Sequence, residues 1–449
     1  MHRTHTQRTG LDRLAHTFYG RIARGMLWQP ETFRMMVAGP EARVQQCDVA
    51  VLGAGAAGLL CAAEAGRRGR RVLLLDHADR IGKKILISGG GRANFTNLGC
   101  TWANFLSENS HFARSALVRF TPADMVALVE RHGIAYHEKT LGQLFCDRSA
   151  SDLVAALERD CADTGVRTLL ETRVDRVDTA PAGERGFRVA TTQGSIACES
   201  VVVATGGLSI PKIGATGLGY EIARQFGMRV TECRPALVPL TFAPEDRDRW
   251  CDLAGLSAEA VAQQVAPQRK TRRALAAPAF REKLLVTHRG LSGPVVLQAS
   301  SYWQPGSPVE FDLAPGREVF APLLRPRARR DAAATLAELR GVLPGRMAER
   351  WFSIHAGRAV QADYTNADIA ELEAKLHSWS VVPAGTEGYA KAEVTAGGVD
   401  TAELHPQTLE ARRAPGLFFI GEVVDVTGWL GGYNFQWAWA SGFCAGQIA

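Results

Sequence analysis

An α/β fold, built on a parallel sheet and interrupted by an inserted β-barrel-like domain with a small helical subdomain, is predicted by three observations. The first apolar run, Asp48–Leu52, passes directly into Gly53-Ala54-Gly55-Ala56-Ala57-Gly58 and then into a small-residue helix ending near Arg68. A second apolar run, Val72–Leu75, ends on Asp76. From about Cys233 to Ala392 the composition changes to Pro-rich β-type runs and helical patterns, before an apolar strand, Leu417–Ile420, returns the chain to the first layer.

Strand, glycine turn, helix, strand and acid, in that order, make a Rossmann-like dinucleotide-binding unit. Gly53 permits the tight turn, Gly55 lets backbone N–H groups approach a pyrophosphate, and Gly58 lets the helix pack closely on the sheet. Ala54, Ala56 and Ala57 keep the loop free of bulk, and Asp76, with His77 beside it, stands where an acid accepts ribose hydroxyls. Small residues at a helix start also serve packing alone, and the unit does not distinguish FAD from NAD.

The next segment, Ile81–Asn97, holds Gly89-Gly90-Gly91, flanked by Lys83, Lys84, Ser88, Arg92 and Asn94. A loop almost without side chains suits close backbone approach to a large flat ligand or its phosphates; the plainer reading is a basic surface turn. "GKKILISGGGRANFTN" resembles the signature of the BaiN/YhiN-like flavoproteins, G-K-K-[IL]-x-x-[ST]-G-x-G-R-C-N-x-T-N, and departs from it at Ala93, where the family commonly has Cys. A thiol there is therefore not essential to this chain. The resemblance continues through Ala135–Leu157, Val201–Gly227, Thr287–Gln298 and the C-terminal stretch. It implies a Rossmann-like FAD-binding domain of the glutathione-reductase type, tightly bound FAD and a nicotinamide-linked reductase or oxidase, without implying one shared substrate.

Ser149–Gly165 reads as a helix with Leu153, Val154, Leu157 and Cys161 on one face, Ser149 and Asp152 as a capping pair and Gly165 as the stop. Arg173–Val177, Gly186–Thr191 and Ile196–Cys198 read as an antiparallel meander, and the resemblance places the Val174 backbone against an adenine. The run Val201–Val203 ends in Ala204-Thr205-Gly206, small residues at the strand edge where open α/β folds bind ligands. No second complete glycine fingerprint with strand and acid follows, so NAD(P)H, as transient electron donor, would meet the flavin at its open face.

In the insert, residues 234–325 carry short β-type runs and 329–376 look helical. The boundaries expected are a leader over 1–46, disordered or a mis-assigned start, a FAD-binding domain over 47–232 and 393–449, and the insert over 233–392. At the C-terminus, Gly421 and Glu422 end a strand, Asp425 is placed to reach the ribityl chain or pyrophosphate, and Gly432, Tyr433 and Asn434 let the backbone pass the ring. A helix then follows over Phe435–Gln447, with Asn434 as its N-cap.

The formal charge is +6, of which residues 1–46 supply +4 (seven Arg, three acids) and the remainder +2. So small a balance gives no electrostatic footprint for nucleic acid, and a small-molecule substrate without nucleic-acid or membrane partners is expected. Nine cysteines without a C-x-x-C read as reduced thiols of a cytoplasmic protein without a metal site. Lys391, Glu393, Tyr433 and His288 are proton-donor candidates by residue type alone, and no catalytic residue is assigned. The leading reading is hydride transfer between NAD(P)H or O2 and a small organic substrate through non-covalent flavin; an RNA-modifying flavoprotein and a non-catalytic flavin sensor are the alternatives.

Overall fold

The structure is a computed structural model that describes residues 44–181, 184, 186–264, 278–356 and 363–449. The expected leader falls largely outside the described residues, although Gln45 and Gln46 already pair, parallel, with the strand Gly194–Cys198. The central layer is a five-stranded parallel sheet of β1 (Val49–Leu52), β2 (Val72–Leu75), β3 (Arg167–Leu169), β4 (Ser200–Val203) and β5 (Leu417–Phe419). Their order in space is β5-β4-β1-β2-β3. Strands β1, β2 and β4 are buried at every position, which is why they read as unbroken apolar runs and not as alternation.

Helix α1 (Ala56–Arg67) crosses from β1 to β2, and α2 (Ala150–Asp163) precedes β3. The expected face of α2, Leu153, Val154, Leu157 and Cys161, is buried, and Ser149 accepts the Ser151 N–H as its cap (3.1 Å). The meander forms as anticipated, with Phe187–Thr191 antiparallel to both Val174–Thr179 and Gly194–Cys198.

The last helix, α3 (Tyr433–Gly446), lies along α1 through a stripe without side chains. A Cβ on Gly442 would sit 2.5 Å from the Ala57 carbonyl oxygen, and one on Gly446 would sit 2.6 Å from the Glu64 Cβ. The helix therefore packs chiefly on α1, where the sequence suggested the first strand and its turn.

The insert has a core of its own, closed by Trp250, Phe311, Phe320, Trp351 and Trp379. Its sheet has seven antiparallel strands, running from Trp379–Val381 at one end to Gly385–Thr386 at the other. Those end strands are joined by residues 382–384 alone, a link that spans at most ~15 Å. A flat sheet with six inter-strand gaps would hold them ~29 Å apart. The sheet must therefore curl on itself, which gives the insert its barrel-like form. Three helices, Ala332–Arg340, Gly345–His355 and Asn366–His377, pack beside it. The strands entering and leaving this region, Arg234–Ala236 and Val394–Ala396, pair antiparallel, so both crossings occur at one place.

Candidate functional site

The carboxyl ends of β1, β4 and β5 open into a cavity of about 870 Å³, within the ~300–1,000 Å³ usual for cofactor sites. One end is the glycine turn. Gly53 holds a left-handed backbone (φ +112°), and a Cβ there would lie 2.4 Å from the Ala204 carbonyl oxygen. Gly58 is tighter still: its Cβ would fall 1.9 Å from the Gly53 oxygen, so Gly58 packs beneath the turn and does not line the cavity. Gly55, the N-cap of α1, makes no side-chain cap hydrogen bond and has nothing within 4 Å of a virtual Cβ. The first N–H groups of α1 are thus left to a ligand, and the helix dipole favours an anionic one.

Asp76 sits beside this turn, where its carboxylate accepts N–H bonds from Ala54 (2.7 Å) and Ala78 (2.9 Å). His77, Val174, Ala204, Thr205 and Gly206 line the same end, together with Ala54, Ala56 and Ala57. Thr205 Oγ1 has no hydrogen-bond partner among the described residues; it is turned from the opening and lies against Gly219, whose missing Cβ leaves it room.

Along one wall Lys84 Nζ donates to Ser209 Oγ (2.7 Å) and Glu422 Oε2 (2.5 Å), while Glu422 Oε1 accepts from Thr395 N (2.9 Å). Four segments, those of Lys84, Ser209, Thr395 and Glu422, are thereby tied together, leaving a charge-compensated surface. Gly421 lines the cavity beside Ala57, and Ser88, Gly89, Gly90, Asn94, Gly432 and Asn434 line it as well. A Cβ on Gly432 would lie 2.4 Å from the Thr96 carbonyl oxygen, so only glycine lets these strands close on each other.

Four further candidates line no part of the cavity. Gly91 and Arg92 turn away into the fold: their carbonyls accept the N–H groups of Ala150 (2.8 Å) and Cys146 (2.9 Å), and the Arg92 side chain is exposed. Asp425 is buried behind the wall, where it accepts the Glu108 N–H (3.0 Å). Tyr433 points its ring at Phe105 and Trp429. Asn434 does line the cavity, but it is not the N-cap: α3 starts one residue earlier from left-handed Gly432. The Asn434 amide instead closes the preceding loop, accepting from Gly428 N (2.8 Å) and donating to Gly428 O (2.9 Å).

Sequence reasoning missed Gln143 and Phe145, which reach the cavity from the strand Gln143–Cys146, paired with Asn94–Asn97. The alternation in Gln-Leu-Phe-Cys, with Leu144 and Cys146 in the core, carried that signal. Ser209 had none, because its partners are 125 and 213 residues away. Of the proton-donor candidates only Glu393 lines the cavity. Its side chain is open to that space, and desolvation by the surrounding walls raises its carboxyl pKa, tempered by Lys84. His288 and Lys391 are exposed elsewhere.

The uncapped helix start, the glycine cradle and the acid beside the turn fit FAD. The described residues contain no cluster suited to a metal ion.

Comparison with known proteins agrees with this geometry. The family model described as HI0933-like protein Rossmann domain matches residues 47–448. The chain is 47% identical to an Escherichia coli protein named ribosomal RNA dihydrouridine synthase, over 90% of this chain and 98% of that protein. It is 44% identical to a Haemophilus influenzae protein of the same name, over 89% and 98% of the two chains. A Clostridium scindens 3-dehydro-bile acid delta(4,6)-reductase is 29% identical, again over 89% and 98%. The expectation that nucleic acid takes no part is overturned by the first two relatives, whose names specify ribosomal RNA. The charge balance misled because a sum over hundreds of residues says nothing about where the charges lie.

Proposed function

The chain belongs to the HI0933-like family of FAD-dependent oxidoreductases, and on that premise we propose that it reduces uridine to dihydrouridine within ribosomal RNA. The observation that carries this reading is similarity at 47% identity along 90% of the chain, which takes in the cavity walls and the insert alike. Reading the relatives this way favours the RNA-modifying alternative over a small organic substrate.

FAD, when bound, would supply the hydride, with NAD(P)H as the electron donor. The residues of the chain do the rest. Gly53–Ala57 and the first turn of α1 would hold the pyrophosphate and Asp76 a ribose hydroxyl, while Lys84, its charge balanced by Glu422 and its position fixed by Ser209, ties the cavity wall together. Gly421 and Gly432, without side chains, would let the backbone pass close to the flavin. The insert, taken as residues 233–392, roofs it.

Reduction of the uracil C5–C6 double bond adds a hydride to one carbon and a proton to the other. Glu393 is the group placed to deliver that proton, because it alone of the proton-donor candidates lines the cavity, where desolvation by the walls raises its carboxyl pKa. Its raised value sets the sign of the pH dependence: the rate is full while Glu393 is protonated and declines as pH rises through its pKa. Glu393→Gln is expected to keep its flavin and accept electrons from NAD(P)H, yet lose RNA reduction by at least ~100-fold, with no alkaline limb remaining.

The test is incubation of the flavin-loaded protein with unmodified ribosomal RNA and NADH or NADPH, followed by nucleoside mass spectrometry. Uridine heavier by two hydrogens is the expected product. Its absence with both donors would sink the reading.

A further inference from the structure

We infer that the arginine-rich turn Arg325–Arg330 is an anchoring surface for the phosphate backbone of RNA, away from the residues that line the cavity; this rests on the ribosomal RNA reading above. Residues 317–350 contain eight Arg and four acids, a local balance of +4 where residues 47–449 as a whole sum to only +2. Positive charge is therefore concentrated in the insert and offset elsewhere.

Pairing makes the contrast sharper. In the nucleotide-binding part many arginines are paired with carboxylates, as in Arg71 with Asp48, Arg176 with Asp178 and Arg229 with Asp400. Those that pair with none among the described residues, such as Arg92, Arg159 and Arg167, are scattered along the sequence; in the insert Arg340 and Arg350 are paired too, with Glu349 and Asp252. In the turn, Arg329 is tied to Asp331 and Arg330 donates to the Asn366 side chain (2.5 Å). Arg325 and Arg327 are exposed and pair with no carboxylate among the described residues. Arg317 is likewise exposed, its guanidinium reaching only the Gly341 carbonyl oxygen (3.4 Å). Unpaired arginines on one surface are what a polyanion recognises, since an internal carboxylate would compete with phosphate.

The turn is also held in shape. Leu323 anchors its start in the insert core, Ala328 N–H donates to the Arg325 carbonyl (3.2 Å), and Arg327 is held at φ +65°. Asp331 fixes its far end by capping the helix Ala332–Arg340 through the Ala334 N–H (2.8 Å). Arg325 and Arg327 thus project from a fixed backbone, which lowers the ordering cost of binding. Backbone contact carries no sequence information, so this surface would hold the RNA while the cavity selects the uridine.

The test compares the flavin-loaded wild type with the double variants Arg325→Ala/Arg327→Ala and Arg325→Lys/Arg327→Lys. Binding to a ribosomal RNA fragment is measured across a salt series, with flavin spectrum and reduction by NAD(P)H as controls. The alanine variant is expected to bind about tenfold more weakly and to lose about 1.5–2 from the slope of log K against log salt. The lysine variant should keep most of that slope, and flavin content and flavin reduction should be unchanged in both. Wild-type binding that the alanine variant matches in affinity and slope overturns the inference but spares the reading it rests on. A wild type that binds no ribosomal RNA overturns both.

Discussion

Asp425 shows how much a single buried carboxylate can mislead. By sequence it follows the Gly421-Glu422 strand end and looks placed for a cofactor hydroxyl; in the structure it is 5% exposed and faces away from the cavity. Burial lifts its carboxyl from a usual 3.8 to about 6, opposed by the Glu108 N–H and Arg229. The folded value lies above the unfolded one, so the stabilisation from holding this proton is complete below about pH 4 and is lost as pH rises through about 6. Asp425→Asn cannot ionise and should gain about 3 kcal/mol relative to wild type across that interval. Melting curves recorded from pH 4 to 7.5 check this; parallel profiles for the two proteins would refute it. Which side of a wall a residue faces depends on the turns before it, here the left-handed Gly421, and residue type does not encode that. The residues that did declare themselves, Gly53, Gly55 and Asp76, belong to one local strand-turn-helix unit whose spacing fixes their geometry.

At the scale of elements, the contact between α1 and α3 joins the two ends of the nucleotide-binding part. It depends on glycine at Gly442 and Gly446, because the α1 backbone occupies the place a side chain would take. Gly442→Val should therefore force α3 away from α1, cost ~3 kcal/mol or more and release the flavin, whereas Gly227→Ala, at a helix end with open space but a left-handed backbone (φ +71°), should cost only ~1–2 kcal/mol and keep the flavin. Thermal stability and flavin retention after gel filtration read both effects; a Gly442→Val protein that stays yellow with an unchanged Tm would disprove the packing account. The parallel strands and α2 were legible because burial on both faces, or on one helical face, writes a short-range pattern. The three-stranded sheet containing Gln143–Cys146 was not, since it is made of segments of three or four residues.

For the whole molecule, the insert changes the reading most. Its barrel-like closure was suggested by short β-type runs, but the pairing that places Trp379–Val381 and Gly385–Thr386 at opposite ends of one curled sheet is a long-range property that no local pattern specifies. Net charge failed for a related reason: a near-neutral total concealed an arginine-rich surface within one region. The nucleotide-binding fold explains how a flavin is held, and the insert, with its paired crossings beside Leu237 and Glu393, is where a large substrate would be met. The most direct test is an anaerobic single turnover in which the protein, its flavin fully reduced and excess NAD(P)H removed, is mixed with unmodified ribosomal RNA. Reoxidation of the flavin together with an equivalent amount of dihydrouridine is the result this account predicts. Flavin that stays reduced in the presence of the RNA, yet is reoxidised by a small enone, would contradict it.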